Sequence, residues 1–192
     1  MEYNLKNREI TLHRIPSELD ELVLRFTSII ERYVKYTIIS GYISILLGRA
    51  RATEDVDLFI EFINFEKFKE MYNNLKEEGF WCLNAEDPRE IFSFLEEGLA
   101  VRFSIEGKPI PNFEVKFPKR EIDKGTFEDF LKVHIGGKII IISSLERQIA
   151  FKRYYLKSDK DIEDAIHIEE LFKEKIDYEK INKLRRVIES IK

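Results

Sequence analysis

The stretch Tyr36-Thr-Ile-Ile-Ser-Gly-Tyr-Ile-Ser-Ile-Leu-Leu-Gly-Arg-Ala-Arg-Ala-Thr-Glu-Asp-Val-Asp-Leu-Phe-Ile-Glu61 decides how this chain is read. It opens as a buried strand, turns at Ser40-Gly41, passes through a short helix and a loop, and ends in a second strand bearing Asp55 and Asp57. A strand that runs through a glycine turn into a helix leaves backbone N–H groups free where a phosphate can sit. On the second strand, alternation puts Asp55 and Asp57 on one face and turns Val56 and Leu58 toward a core. Two carboxylates on a rigid strand, opposite an anion-sized hole, make a seat for magnesium and a nucleoside triphosphate.

With 36 acidic residues in 192, a bare acid-x-acid pair is expected about seven times by chance, so the aspartates gain meaning only from the longer string. That string resembles the signature of the nucleotidyltransferase superfamily that includes polymerase beta. The signature is a hydrophobic residue, Gly, Gly or Ser, a spacer, then acid-hydrophobic-acid-hydrophobic. Here Ile39-Ser40-Gly41-Tyr42 precedes Asp55-Val56-Asp57-Leu58, with Tyr42 standing where the superfamily usually has a small residue. Gly48-Arg49-Ala50-Arg51-Ala52-Thr53-Glu54-Asp55-Val56-Asp57 is closer still to uncharacterised prokaryotic nucleotidyltransferases related to abortive-infection type IV toxins.

The resemblance implies further residues. Catalysis with two metal ions in the superfamily uses a third carboxylate on a neighbouring strand. Glu114 in Phe113-Glu114-Val115 has the expected form, with Glu106 as its rival; Glu114 and Lys116 on one strand face could equally be solvated surface. A late helix, Ser144 to Lys152, resembles the family's lysine-bearing motif, so that Lys152 would reach the triphosphate as a point charge. Asp161 and Asp164, three apart at the next helix start, share a face and would position Lys152 or tie helices together; an acidic first turn also suits any helix. Ser40, Gly41, Arg51 and Thr53 complete the nucleotide-binding set, Arg51 either contacting phosphate or pairing with Asp55 or Glu54.

Elsewhere the chain is ordinary. An apolar fraction of 44% with fifteen Phe is enough for a packed core, and a net charge of −4 gives no global basic footprint for nucleic acid. A single Cys82 excludes an internal disulfide and a cysteine-based zinc site, and His13, His134 and His167 have no partners at metal-ligand spacing. The chain opens without a signal peptide and carries no membrane-length apolar run, so a soluble cytoplasmic protein is expected. Residues 1 to 15 read as irregular. Ser17 and Asp20 form a capping box for a helix to about residue 34, and helices are predicted over about 65–78 and 88–97. Strands are expected near 36–40, 55–62, 81–83, 99–105 and 112–117, and a Gly136-Gly137 hairpin joins two more. From Ser144 the chain reads as helices, and Lys183 to Arg186 as a solvated helix face or a short contact for RNA.

The expectation is therefore an α/β (α+β) fold, a nucleotidyltransferase-like mixed sheet flanked by helices. The core is placed at residues 1–143, with a helical segment at 144–192 packed on it. The resemblance implies a magnesium enzyme, using as many as two ions, that transfers a nucleoside monophosphate from a nucleoside triphosphate to an RNA end, a protein hydroxyl or a small molecule. The alternative is a degenerate binding module of the same fold, or a toxin–antitoxin-type partner.

Overall fold

The computed structural model describes residues 1–191. In chain order the elements are β1 (Glu2–Asn4), β2 (Glu9–Thr11), α1 (Glu18–Ile30), β3 (Tyr36–Ile38), α2 (Gly41–Leu46), β4 (Asp55–Ile60), α3 (Phe65–Glu77), β5 (Phe80–Cys82), α4 (Pro88–Glu96), β6 (Val101–Ile105), β7 (Lys108–Lys116), α5 (Glu121–Lys124), β8 (Phe130–Ile135), β9 (Lys138–Ser143), α6 (Leu145–Phe151), α7 (Asp159–Leu171) and α8 (Tyr178–Ser190). The described residues form a nine-stranded sheet in the order β1-β2-β8-β9-β3-β4-β7-β6-β5, mixing parallel and antiparallel pairs. No helix among them is long and apolar enough to cross a membrane.

Strand alternation sorts the central sheet. In β4, Val56, Leu58 and Ile60 are buried, and Phe113 and Val115 of β7 join them. Helices α1, α3 and α4 cover this apolar face: Phe26 stacks on Phe113 with ring centroids 3.9 Å apart, Tyr72 meets Phe103, and Phe92 meets Phe117. The opposite face of β4 and β7 carries Asp57, Glu114 and Lys116, and of these Asp57 and Lys116 line a cavity.

The α1 start follows the capping-box expectation, with Ser17 and Asp20 capping reciprocally. Two expectations are corrected. Residues 1 to 15 are not irregular throughout: β1 and β2 form a short antiparallel pair, and β2 joins β8 in parallel, Ile10 opposite Val133. Three-residue strands are too short to show alternation, and long-range pairing holds them. β7 begins at Lys108 rather than Asn112, because the chain turns tightly at Glu106-Gly107 and pairs Ile105 with Lys108 at once.

Candidate functional site

The turn between β3 and α2 lies beside β4, where Ile39 N–H donates to the Asp57 carbonyl at 2.9 Å. Ser40, not Gly41, occupies the unusual backbone, with φ 65° and ψ −139°. Gly41 starts α2 in helical conformation. A Cβ on it would lie 3.1 Å from the Arg51 guanidinium, so the close approach that glycine permits is to Arg51. Tyr42 does not plug the turn. It is fully buried, and its hydroxyl donates to Asp20 of α1 at 2.7 Å.

Across β4 and β7 the register is parallel, with Asp55 opposite Asn112 and Asp57 opposite Glu114. Lys116 follows Glu114 on the same face. Its ammonium lies 2.8 Å from Glu114 Oε1 and 3.3 Å from Asp57 Oδ1. Arg102 of β6 holds the other Glu114 oxygen at 2.9 Å. Burial pushes the Asp57 carboxyl above its ordinary range, reinforced by Glu114 and Asp55 and only partly offset by Lys116. Burial would raise Glu114 as well, but its hydrogen bonds from Lys116 and Arg102 prevail and hold it low. Asp55 sits at the strand start, where the Thr53 hydroxyl donates to its carbonyl at 2.8 Å. Glu106, the rival third carboxylate, lies instead in the β6–β7 turn beside Trp81.

Helix α6 supplies the facing wall. It ends in a wide π-type turn, in which Lys157 N–H bonds the Lys152 carbonyl at 3.0 Å. This turn presents Phe151, Lys152, Tyr155 and Leu156 to the cavity. Lys152 is 1% exposed and pairs with Asp164 at 2.7 Å and Asp161 at 3.3 Å. Asp164 also receives Arg49 and Arg51, so Arg51 pairs with α7 rather than with Asp55 or Glu54. These bonds tie the loop before β4 to α7, and Lys152 with its arginine neighbours holds Asp164 low against the opposing effect of burial.

The cavity, about 450 Å³, runs between these walls. Ser40, Asp57 and Lys116 line its sheet side, Lys152 lies on the helical wall, and Phe151 and Tyr155, ring centroids 5.9 Å apart, give it an aromatic end. Arg120 lies over the Tyr155 ring at 4.5 Å and Arg147 lines the floor. Lys116, Arg120, Arg147 and the aromatic end were not singled out from sequence. For Lys116 a signal existed, the Glu-x-Lys spacing on one strand face.

Asp55, Asp57 and Glu114 offer only oxygen donors, which suits a hard divalent cation. Two of them already converge on one cation, the Lys116 ammonium. Asn112 Oδ1, on the residue opposite Asp55, is buried without a hydrogen-bond partner among the described residues. Among those residues no three His, Cys, Asp or Glu side chains are grouped as a metal's ligand shell. The donor chemistry therefore fits a metal ion, with an ammonium standing between two of the oxygens.

The chain is similar to solved structures of nucleotidyltransferase fold. Antibiotic-resistance factor ANT(2'')-Ia matches with a TM-score of 0.57 and 17% identity, over 91% of this chain and 94% of that one. Lincosamide antibiotic adenylyltransferase LnuA, lincomycin-bound, gives 0.52 and 14%, over 82% and 99%. An antigenic nucleotidyltransferase-like protein from Paracoccidioides brasiliensis gives 0.50 and 17%, over 79% and 74%. No protein-family profile matches the chain, and no curated protein does. At these identities the likeness establishes the fold, a nucleotidyltransferase-like mixed sheet flanked by helices.

Proposed function

We propose that this protein is a nucleotidyltransferase that moves a nucleoside monophosphate from a nucleoside triphosphate to a hydroxyl acceptor. The observation that carries this reading is the cavity itself, in which Ser40, Asp57 and Lys152 meet in a volume suited to a nucleotide. The Ser40 hydroxyl would take a phosphate, the Lys152 clasp with Asp161 and Asp164 would stand behind that end of the cavity, and Phe151 and Tyr155 would take the base by stacking. Magnesium, when held by Asp55, Asp57 and Glu114, would supply Lewis-acid polarisation of the phosphoryl oxygens. The acceptor oxygen bonds to the α-phosphorus, and the bond to the departing pyrophosphate breaks in line. The acceptor's proton passes to Glu114, which is ionised at neutral pH because Lys116 and Arg102 hold its carboxyl low. In this reading residues 1–143 form the transferase core, and the helical segment from residue 144 contributes Lys152.

ANT(2'')-Ia has been solved in complex with adenylyl-2''-tobramycin and LnuA with lincomycin, which favours a small hydroxylated acceptor over an RNA end or a protein hydroxyl. The run from Gly48 to Asp57, with its toxin-like pattern, adds a protein partner of antitoxin type to the candidates. A second reading, a binding module without turnover, is favoured by one observation: Lys116 stands between two of the three carboxylates. Calorimetric titration of each of the four ribonucleoside triphosphates with magnesium, into wild type and D55A/D57A, tests the first reading. Binding to wild type that is lost in the double variant is expected; absence of binding by wild type to all four would overturn it. Formation of pyrophosphate with small hydroxylated acceptors then separates turnover from mere binding.

A further inference from the structure

Beyond helping to hold the Glu114 carboxyl low, Lys116 takes no part in the proposed reaction, yet it sits at the centre of the acidic strands. Parallel register sets Asp57 beside Glu114, and alternation returns Lys116 to the same face two residues on. Its ammonium therefore lies where the oxygens of both carboxylates converge, 3.3 and 2.8 Å away. We infer that Lys116 is the resident counter-ion of this site: it holds the Asp57–Glu114 position until a divalent ion takes it, and then turns into the cavity toward the phosphates. The inference rests on the metal-dependent reading of the site proposed above.

Three features support exchange over a permanent pair. Lys116 is 28% exposed and lines the cavity, so its flexible four-carbon stem has somewhere to go. Glu114 keeps Arg102 as a second partner at 2.9 Å when Lys116 leaves. Asp57 keeps none of the cations paired with it here. Its isolation, at 18% exposure, makes the departure of Lys116 costly unless another cation arrives. Ammonium and metal therefore compete for one place, and Lys116 lowers the affinity of the free protein for divalent ions. Turned into the cavity, the same ammonium adds a positive charge on the phosphate side when a metal-bound nucleotide binds.

The test is a Mn2+ titration without nucleotide, reading the free-ion signal by electron paramagnetic resonance, on wild type, K116M and K116R. K116M is expected to bind Mn2+ about tenfold or more tightly than wild type, because the competing charge is gone, while K116R stays near wild type. Equal affinity in wild type and K116M, or no binding by K116M, would overturn the inference. A second measurement needs no variant. Amine labelling of wild type, read by mass spectrometry, is expected to modify Lys116 slowly without metal and faster with saturating Mn2+; an unchanged labelling rate would overturn it. Because no nucleotide is present, failure here is distinct from failure of wild type to bind any nucleotide, which would remove the transferase reading.

Discussion

Lys152 and Lys116 each bridge two carboxylates at nearly the same distances, 2.7 and 3.3 Å in one case, 2.8 and 3.3 Å in the other. What surrounds them differs. Lys152 is 1% exposed, and its partner Asp164, fully buried, collects two arginines as well. The result is a sealed charge network in which the Asp164 carboxyl is held low. Lys116 faces an open cavity, and its partner Asp57 stays high in spite of it. The same bridge is a structural clasp where every charge is matched. It becomes an exchangeable contact where the carboxylates outnumber their cations.

The clearest way to break this comparison is to remove one acid from each cluster. Asp164→Ala strands Lys152, Arg49 and Arg51 without their common partner, and should cost about 3–5 kcal/mol in urea unfolding. Asp57→Asn removes a charge that burial already disfavours, and should change stability by no more than about 1 kcal/mol while abolishing nucleotide binding. Equal losses of stability in the two variants would put both clusters in the same class.

A smaller effect sharpens the contrast through pH. The Asp164 carboxyl is lower in the folded protein than in the unfolded chain, so its ionised form contributes stability at neutral pH. That contribution is fully present above the unfolded value of about 4 and is lost as pH falls through the lower folded value. Asp164→Asn should therefore be less stable than wild type at pH 7, with the gap closing on acidification. A gap that stays constant down to pH 2 would mean that the Asp164 charge does not drive the clasp.

Legibility in the sequence divides along physical lines. The Asp55–Ile60 alternation, the Ser17–Asp20 capping box and the Gly136-Gly137 hairpin are local patterns, and the structure contains all three. Lys116 is different. A Glu-x-Lys pair on a strand face looks like solvated surface until the register brings Asp57 opposite Glu114, and register is a long-range property. The same holds for Arg49 and Arg51, whose partner Asp164 lies more than a hundred residues away. At the turn, the sequence draws attention to Gly41, while the backbone that favours glycine belongs to Ser40.

That misplacement supplies the smallest test of the comparison. Ser40 lines the cavity at φ 65°, and its side chain makes no capping hydrogen bond to α2. Its strained backbone is therefore not compensated by the helix it precedes, a pattern expected where local stability is given up at a functional turn. Ser40→Gly should relieve the strain and raise stability by about 1 kcal/mol or less, because glycine's extra freedom in the unfolded chain takes back part of the gain. It should also weaken triphosphate binding by removing the hydroxyl from the cavity wall. Thermal unfolding and calorimetry on the one variant read both effects. A loss of stability with unchanged binding would show that Ser40 serves the fold alone, and would leave Lys116 as the sole sign that this face of the sheet, unlike the Lys152 clasp, is built to exchange partners.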